Sequence, residues 1–467
     1  MVAVTMDSNI VNIALPSIKS SLGFSDTSLV WAVDAYLVTY AGLRLIGGRL
    51  GDLFGHRKIF LQGTILFTLA SIVCSLANSP TVLILGRAAQ GLGGSLIAST
   101  SISLILTLFL EPGSRARALG VYGFACSSGA LVGLLLGGAL TGALNWHWIF
   151  GVNLPIGVLI WVSGYRLLPH PASRAATGPL DVAGASILTI ASVVTVYAIV
   201  NGDKAGWNSI RTLGLLCCAA VLFILLATVE LQAAEPIVPS NVFRTRNLPI
   251  CMVIGMLLFV ASSAAVLVSL YLQLVLQYGP LKAGFTFLPA TVVTAIFSVG
   301  ISARLVERFG VKRPLLIGIW IAGLGLALLT RTRVNGSVLV DTIPGTTFLY
   351  VGVAMAFNPL ILAATKSVAP TEIGLVSGII GTTSIMGSAL GLSILASAAA
   401  TRTSHLSALG LAPAAALNSG YHLAFSVALA SAIGAAVLAT VLLRAEPAIE
   451  EQLPDKLTPE SVNSLLP

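Results

Sequence analysis

Charge is scarce in this chain: Asp, Glu, Lys and Arg together make up 9% of its 467 residues, where a soluble domain carries about 25%. So few charges cannot solvate the surface of a chain this long, which excludes an ordinary water-soluble fold. Cysteine is rare as well. The five thiols (Cys74, Cys126, Cys217, Cys218 and Cys251) all fall inside apolar runs and none has metal-ligand spacing, so they read as reduced packing residues. Also missing are a Walker-type phosphate loop, a plausible metal cluster and any catalytic triad with supporting spacing. Those absences exclude ATP hydrolysis by this chain and leave neither an enzymatic reading nor a cofactor. No cleavable signal peptide and no soluble domain are legible either.

What is present is apolar. Hydrophobic residues are 56% of the chain and its mean hydropathy is +0.96. Runs of about 20 apolar residues, long enough to cross a bilayer, follow one another with barely a break. Lipid satisfies no backbone N–H or C=O, so such runs must be helices. The 46 glycines then mark close helix–helix approach rather than disorder. The expected fold is all-α and polytopic, with fourteen spans centred over 1–20, 27–48, 58–78, 81–109, 116–142, 147–168, 182–201, 209–230, 250–276, 282–303, 314–332, 343–366, 373–399 and 421–443.

A formal charge of +8 would suit a nucleic-acid partner, but the positives are not gathered on one soluble face. With the amino terminus inside, 16 Lys and Arg fall on cytoplasmic segments and 7 on external ones, while Arg44 and Arg87 lie within apolar runs. That asymmetry predicts both termini on the cytoplasmic side of the cell membrane. The first span begins at Met1, six residues before Asp7, which leaves it short and admits a start codon further upstream.

The chain repeats itself. Gly48-Arg49-Leu50-Gly51-Asp52-Leu53-Phe54-Gly55-His56-Arg57-Lys58 recurs, 255 residues on, as Ala303-Arg304-Leu305-Val306-Glu307-Arg308-Phe309-Gly310-Val311-Lys312-Arg313. Gly133 and Gly137 recur as Gly387 and Gly391 at an offset of 254. Two repeats at half-chain distance in an apolar protein predict two homologous membrane bundles, the plan of a secondary transporter. The expected division is a six-helix bundle over 1–168, two inserted spans with linkers over 169–235, a second six-helix bundle over 236–444 and a polar cytoplasmic tail over 445–467. A Pro/Gly/Ser stretch over 169–179 closes the first bundle, and a polar link holding Arg244 and Arg246 opens the second.

An ionised side chain at mid-membrane costs about 2.5–3.5 kcal/mol on insertion scales, so each one needs a reason. Asp7 opens the phrase Asp7-Ser8-Asn9-Ile10-Val11-Asn12-Ile13-Ala14-Leu15-Pro16. A carboxylate held there out of water could exchange a proton; an interfacial position is the alternative. Asp34 stands among Trp31, Tyr36 and Tyr40, where it could carry a proton, meet a cationic substrate or simply face water at the outer end of its helix. Arg87, in Gly86-Arg87-Ala88-Ala89-Gln90-Gly91, would tune a titrating acid nearby or form a structural ion pair. Arg44 could snorkel to the cytoplasmic face or pair with an acid.

The duplicated turn, with Gly48, Asp52, Gly55, Arg57, Glu307 and Gly310, suits a cytoplasmic gate, since its acid and glycine recur and not its basic residues alone. Gly120, Gly129, Gly133, Gly137 and Gly138 give the fifth span a smooth, bendable stripe. Tyr36, Tyr40, Gln90 and Asn358 are the expected polar anchors of an apolar substrate cavity. Asn145-Trp146-His147-Trp148 reads as an external aromatic belt.

Over nearly its whole length the sequence resembles the major facilitator superfamily, and within it the fourteen-span drug:proton antiporters. Gly48 to Lys58 is similar to that family's loop 2–3 motif, with Leu53 and His56 where basic residues are usual. Arg87-x-x-Gln90-Gly91 is similar to the helix 4 motif associated with proton coupling. Gly120 to Gly138 resembles the helix 5 antiporter motif, with Leu134 where proline is usual. Asp7 to Pro16 resembles the group's helix 1 motif, and Asp34 falls where some multication exporters carry an acid. Phrases around Trp146–Gly157 and Tyr271-Leu272-Gln273 are also family-like. The resemblance implies proton-coupled export of amphiphilic drugs or antibiotic-like molecules by alternating access. Partners would be a small-molecule cargo, protons and membrane lipids, in a working monomer. Uptake of a small metabolite, or a non-transporting sensor or accessory subunit, are the readings it competes with.

Overall fold

The computed structural model describes residues 1–109, 111–169, 182–232, 247–297, 301–366 and 373–443. Nearly all of the expected linker over 169–179 lies outside them, as do Arg244, Arg246 and the tail over 445–467. Among the described residues every regular element is helical, as a lipid environment requires.

The first half contains α1 (Val2–Leu22), α2 (Trp31–Phe54), α3 (His56–Ser75), α4 (Pro80–Leu108), α5 (Pro112–Ala143) and α6 (Trp148–Leu167). The hairpin α7 (Val182–Ala205) and α8 (Ile210–Gln232) follows. The second half contains α9 (Asn247–Val275), α10 (Pro280–Ile296), the short α11 (Ser302–Phe309), α12 (Lys312–Leu329), α13 (Val338–Thr365), α14 (Ile373–Ala408) and α15 (Pro413–Val441). Nine helices among the described residues are long and apolar enough to cross a membrane, and ten if α2, bent by 50° between Arg44 and Ile46, counts as one span. Apolar segments of α7, α8 and α10 are shorter.

The connection expected between spans over 400–420 is mostly helix, leaving only 409–412 between α14 and α15. Hydroxyls explain the extension. Thr401 and Thr403 donate back to the carbonyls of Ser397 and Ala399 at 2.9 and 2.7 Å, so polar side chains ride on the helix instead of ending it.

Glycine sets the packing of each half. A Cβ on Gly133 would stand 2.5 Å from the Met6 carbonyl oxygen, and one on Gly137 2.6 Å from that of Ile10, so α5 lies directly on the backbone of α1. In the second half a Cβ on Gly387 would stand 2.9 Å from the Met256 Cα, and one on Gly391 2.6 Å from the Val260 Cα, so α14 lies on α9 in the same way. The two copies of the charged turn agree as well: Gly55 and Gly310 have φ of +92° and +72°, a region that penalises any side chain.

These two turns mark one end of the molecule, here the turn end; the connections after α1, α3 and α5 lie at the far end. Contacts between the halves gather toward the far end. Ser269 Oγ donates to the Asn12 carbonyl at 2.9 Å, and Gln273 Nε2 to that of Ile13 at 2.9 Å. Gly138 lies against Pro280 and Leu281 so closely that a Cβ would come within 2.8 Å of a backbone oxygen. Helix α7 packs along both α2 and α14 and so covers the seam between halves, while α8 packs on α7.

This packing makes equal demands in both halves. Gly133→Ala and Gly387→Ala should each destabilise the detergent-purified protein by about 1–3 kcal/mol, the usual cost of overpacking. Gly214→Ala, with open space at that position, should not. Thermal unfolding of the three variants decides the matter.

Candidate functional site

Five polar side chains meet inside the first half, and all are at most 1% exposed. The Arg87 Nη1 of α4 lies 2.5 Å from Asp7 Oδ2 of α1. Asp7 Oδ1 accepts from Asn153 Nδ2 of α6 at 2.6 Å and from Gln90 Nε2 at 3.1 Å. Gln90 also donates to Ser71 Oγ of α3 at 2.7 Å and accepts from Arg87 at 2.9 Å. Arg87 Nε donates to the Ala32 carbonyl of α2 at 2.9 Å, and its guanidinium carbon sits 4.4 Å from the Tyr36 ring centroid. The ion pair is therefore neutral as a unit, and the carboxylate collects three donors. Buried charge is tolerated when compensated in this way.

Asp34 is fully buried too, yet its surroundings are poorer. Its Oδ2 accepts one bond, from Ser393 Oγ of α14 at 2.6 Å, and its Oδ1 has no partner among the described residues. The bond crosses from one half to the other. Asp34 lies two residues from both Ala32 and Tyr36, which is 200° around the helix in each direction. Helix α2 thus turns one face to the Arg87 network and the opposite face to the second half.

Between the halves lies a cavity of about 1040 Å³, lined from α1, α2 and α5 on one side and α9, α10, α13 and α14 on the other. Closed over by the far-end contacts, it reaches toward the turn end along α5, past Phe124 and Val121 to Arg117. Of the four expected anchors, Asn358 lines it; Tyr36, Tyr40 and Gln90 are buried in the first half. Ser8, Asn9 and Asn12 line it from α1, and the buried Asn12 Oδ1 has no partner among the described residues. Arg44 stacks on Tyr40 at 5.7 Å and approaches Gly381 of α14.

The duplicated turns bind their own halves. Arg57 donates to the Tyr165 carbonyl at the end of α6 at 2.7 Å, and its counterpart Lys312 donates to the carbonyls of Thr440 and Leu443, at the end of α15, at 2.9 and 2.6 Å. Each basic residue thereby caps carbonyls that a helix end leaves unpaired. Asp52 faces His56 at 3.3 Å, and Glu307 is exposed. In the fifth span, Gly129, Gly133 and Gly137 serve close packing on α1 and Gly138 meets the second half; Gly120 lies within the same helix. Asn153, Ser71 and Ser393 were not legible as site residues, for a lone amide or hydroxyl in an apolar run is common. No group of three His, Cys, Asp or Glu among the described residues could hold a metal.

Comparison with known proteins agrees with this geometry. The family model described as Major Facilitator Superfamily matches residues 1–392. The puromycin resistance protein pur8 of Streptomyces alboniger is 36% identical over 452 residues, covering 94% of this chain and 88% of that protein. The cephamycin export protein CmcT of Amycolatopsis lactamdurans is 31% identical over 405 residues, covering 86% and 83%. A crystal structure of an auto inhibited POT family peptide transporter shares the fold with a TM-score of 0.67 at 17% identity, covering 95% of this chain and 96% of that one.

Removing one partner of the buried pair leaves the other charge uncompensated, which costs about 3–5 kcal/mol. Asp7→Asn and Arg87→Gln should each lower stability by that order, and the double variant by less than the two together. Additive losses in denaturant unfolding would show that the pair is not coupled.

Proposed function

This chain belongs to the major facilitator superfamily and is a multi-pass membrane transporter of small molecules, and from that premise we propose that it exports amphiphilic, antibiotic-like compounds in exchange for protons by alternating access. In this reading residues 1–168 and 236–444 are two six-helix bundles that rock about the central cavity, 169–235 is the inserted pair, and the fourteen spans leave both termini in the cytoplasm. The tail over 445–467 is cytoplasmic, the membrane is the cell's inner membrane, and the working unit is a monomer surrounded by lipid.

The observation that carries the reading is the position of Asp34. A carboxylate sealed between the halves with one hydroxyl donor is compensated when it holds a proton; when it loses the proton, charge must be met by water or by movement. Asp7 already has three donors, one of them a fixed counter-charge. We therefore assign proton carriage to Asp34, and to the Asp7–Arg87 pair the role of holding α2 by its opposite face. The cavity closed at the far end corresponds to the state open to the cytoplasm, with Gly48, Asp52, Gly55, Arg57, Glu307 and Gly310 forming the gate that meets in the opposite state. Protonation and cargo then favour different states, which is the condition for exchange.

Proteoliposomes with an imposed pH gradient and a panel of neutral, cationic and anionic amphiphiles test this directly. Wild-type protein should move a member of the panel against its gradient. Asp34→Asn should lose at least about tenfold of that coupled flux, close to the value of one charge-assisted bond, and keep cargo-for-cargo exchange. Coupled flux that survives in Asp34→Asn refutes the assignment, and gradient-independent leakage refutes the antiport mechanism.

A further inference from the structure

Two cavities meet at one side chain. Besides the central chamber, a second cavity of about 860 Å³ lies between α3, α4, α5 and α6 toward the turn end. Leu108, Leu159 and Leu167 line it while remaining 42%, 66% and 79% exposed, so it opens on the lipid-facing surface. Helix α5 is the wall between the two. Gly123 and Phe124 face the central chamber, Tyr122 and Ala125 the outer one. Arg117 and Val121, one turn apart on a single ridge, line both.

Arg117 is the one charged side chain in either lining among the described residues. No acid faces it. Ser8 and Val33 line the central chamber, whereas their neighbours Asp7 and Asp34 are fully buried behind it. No hydrogen bond or ion pair holds the guanidinium among the described residues. A chamber whose one charged side chain among the described residues is a cation is complementary to an anion, and a guanidinium pairs with a carboxylate or sulfonate through two parallel bonds.

We infer that the cargo is an amphiphile with one acidic group, recognised by Arg117, with its apolar body held along α5 between the lipid-facing and central cavities. Arg117 is then the residue that selects cargo by charge. The inference rests on the export reading and sharpens it, because a lipophilic cation would meet repulsion where an acid is held. It commits to the exported molecule as occupant rather than to a phospholipid headgroup.

The test compares 1-anilinonaphthalene-8-sulfonate with tetraphenylphosphonium in full-length protein, first by equilibrium binding in uncharged detergent and then by transport in phosphatidylcholine vesicles. Wild-type protein should prefer the sulfonate. Arg117→Gln should weaken sulfonate binding about tenfold, the loss of one charge-assisted pair, Arg117→Lys should keep most of it, and Arg117→Glu should reverse the preference. Because Arg117 is exposed, an unchanged size-exclusion profile is expected for all three. Equal binding of both probes, or a Gln variant that binds the sulfonate as wild type does, overturns the inference. So does an effect of Arg117 that appears only when phosphatidylglycerol is added, which would assign the residue to lipid. Sulfonate binding that depends on Arg117 but is never transported upholds the inference and refutes the export reading. Proton-driven transport of the cation, indifferent to Arg117, does the reverse.

Discussion

Compensation of charge inside a low-dielectric shell governs this molecule. Two aspartates sit fully buried in the same half, on α1 and α2, and their environments differ in kind. Asp7 meets a permanent cation, an amide from Asn153 and another from Gln90. Asp34 meets one hydroxyl, and that hydroxyl belongs to the other half. The first arrangement pairs both carboxylate oxygens and fastens α1, α4 and α6 together, with Arg87 Nη2 and Asn153 Oδ1 left without partners among the described residues; Ala32 and the Tyr36 ring bring α2 into it. The second leaves one carboxylate oxygen without a partner among the described residues. Since both act on α2 from opposite faces, one helix connects a fixed anchor to a variable one.

Each half of the scaffold around them is closed within itself. Glycine brings α5 onto α1 and α14 onto α9 at backbone contact, and the basic residues of the two turns tie their helices to the last helix of the same half. Those interactions are internal to each half. Contacts between halves include single hydrogen bonds at Asn12, Ile13 and Asp34, close glycine contacts at Gly138 and Gly284, and the packing of α2 on α14 and of α5 on α10. The alternating access proposed here would break these contacts and keep those within each half.

Much of this was legible beforehand, for physical reasons. Hydropathy fixed which segments are helices, because lipid permits nothing else, and the duplicated turn revealed the two-fold plan. Gly55 and Gly310 recur because the turn needs positive φ, so a repeat in sequence became a repeat in backbone geometry. Arg87 and Asp7 stood out because charge in an apolar run is costly. Less visible were the partners. Nothing in Ser393 or Asn153 distinguishes them from the many small polar residues that membrane helices carry, and only the packing brings them to a carboxylate. Tyr36, Tyr40 and Gln90 looked like cavity residues by type; helix rotation turns them inward to Arg87 and α4. Arg117 gains its setting only from the two cavities that meet at it.

The account depends on Asp34 linking protonation to closure of the far end, and a distance measurement tests that without knowledge of the cargo. Spin labels at Ser20 and Ser404, both exposed near that end, can be placed in a background with the native cysteines replaced. The prediction is that the distance distribution in lipid nanodiscs shifts toward longer values as pH rises, and that Asp34→Asn abolishes the pH dependence while keeping the short distance. A shift that persists in Asp34→Asn, or a wild-type distribution indifferent to pH, would contradict it.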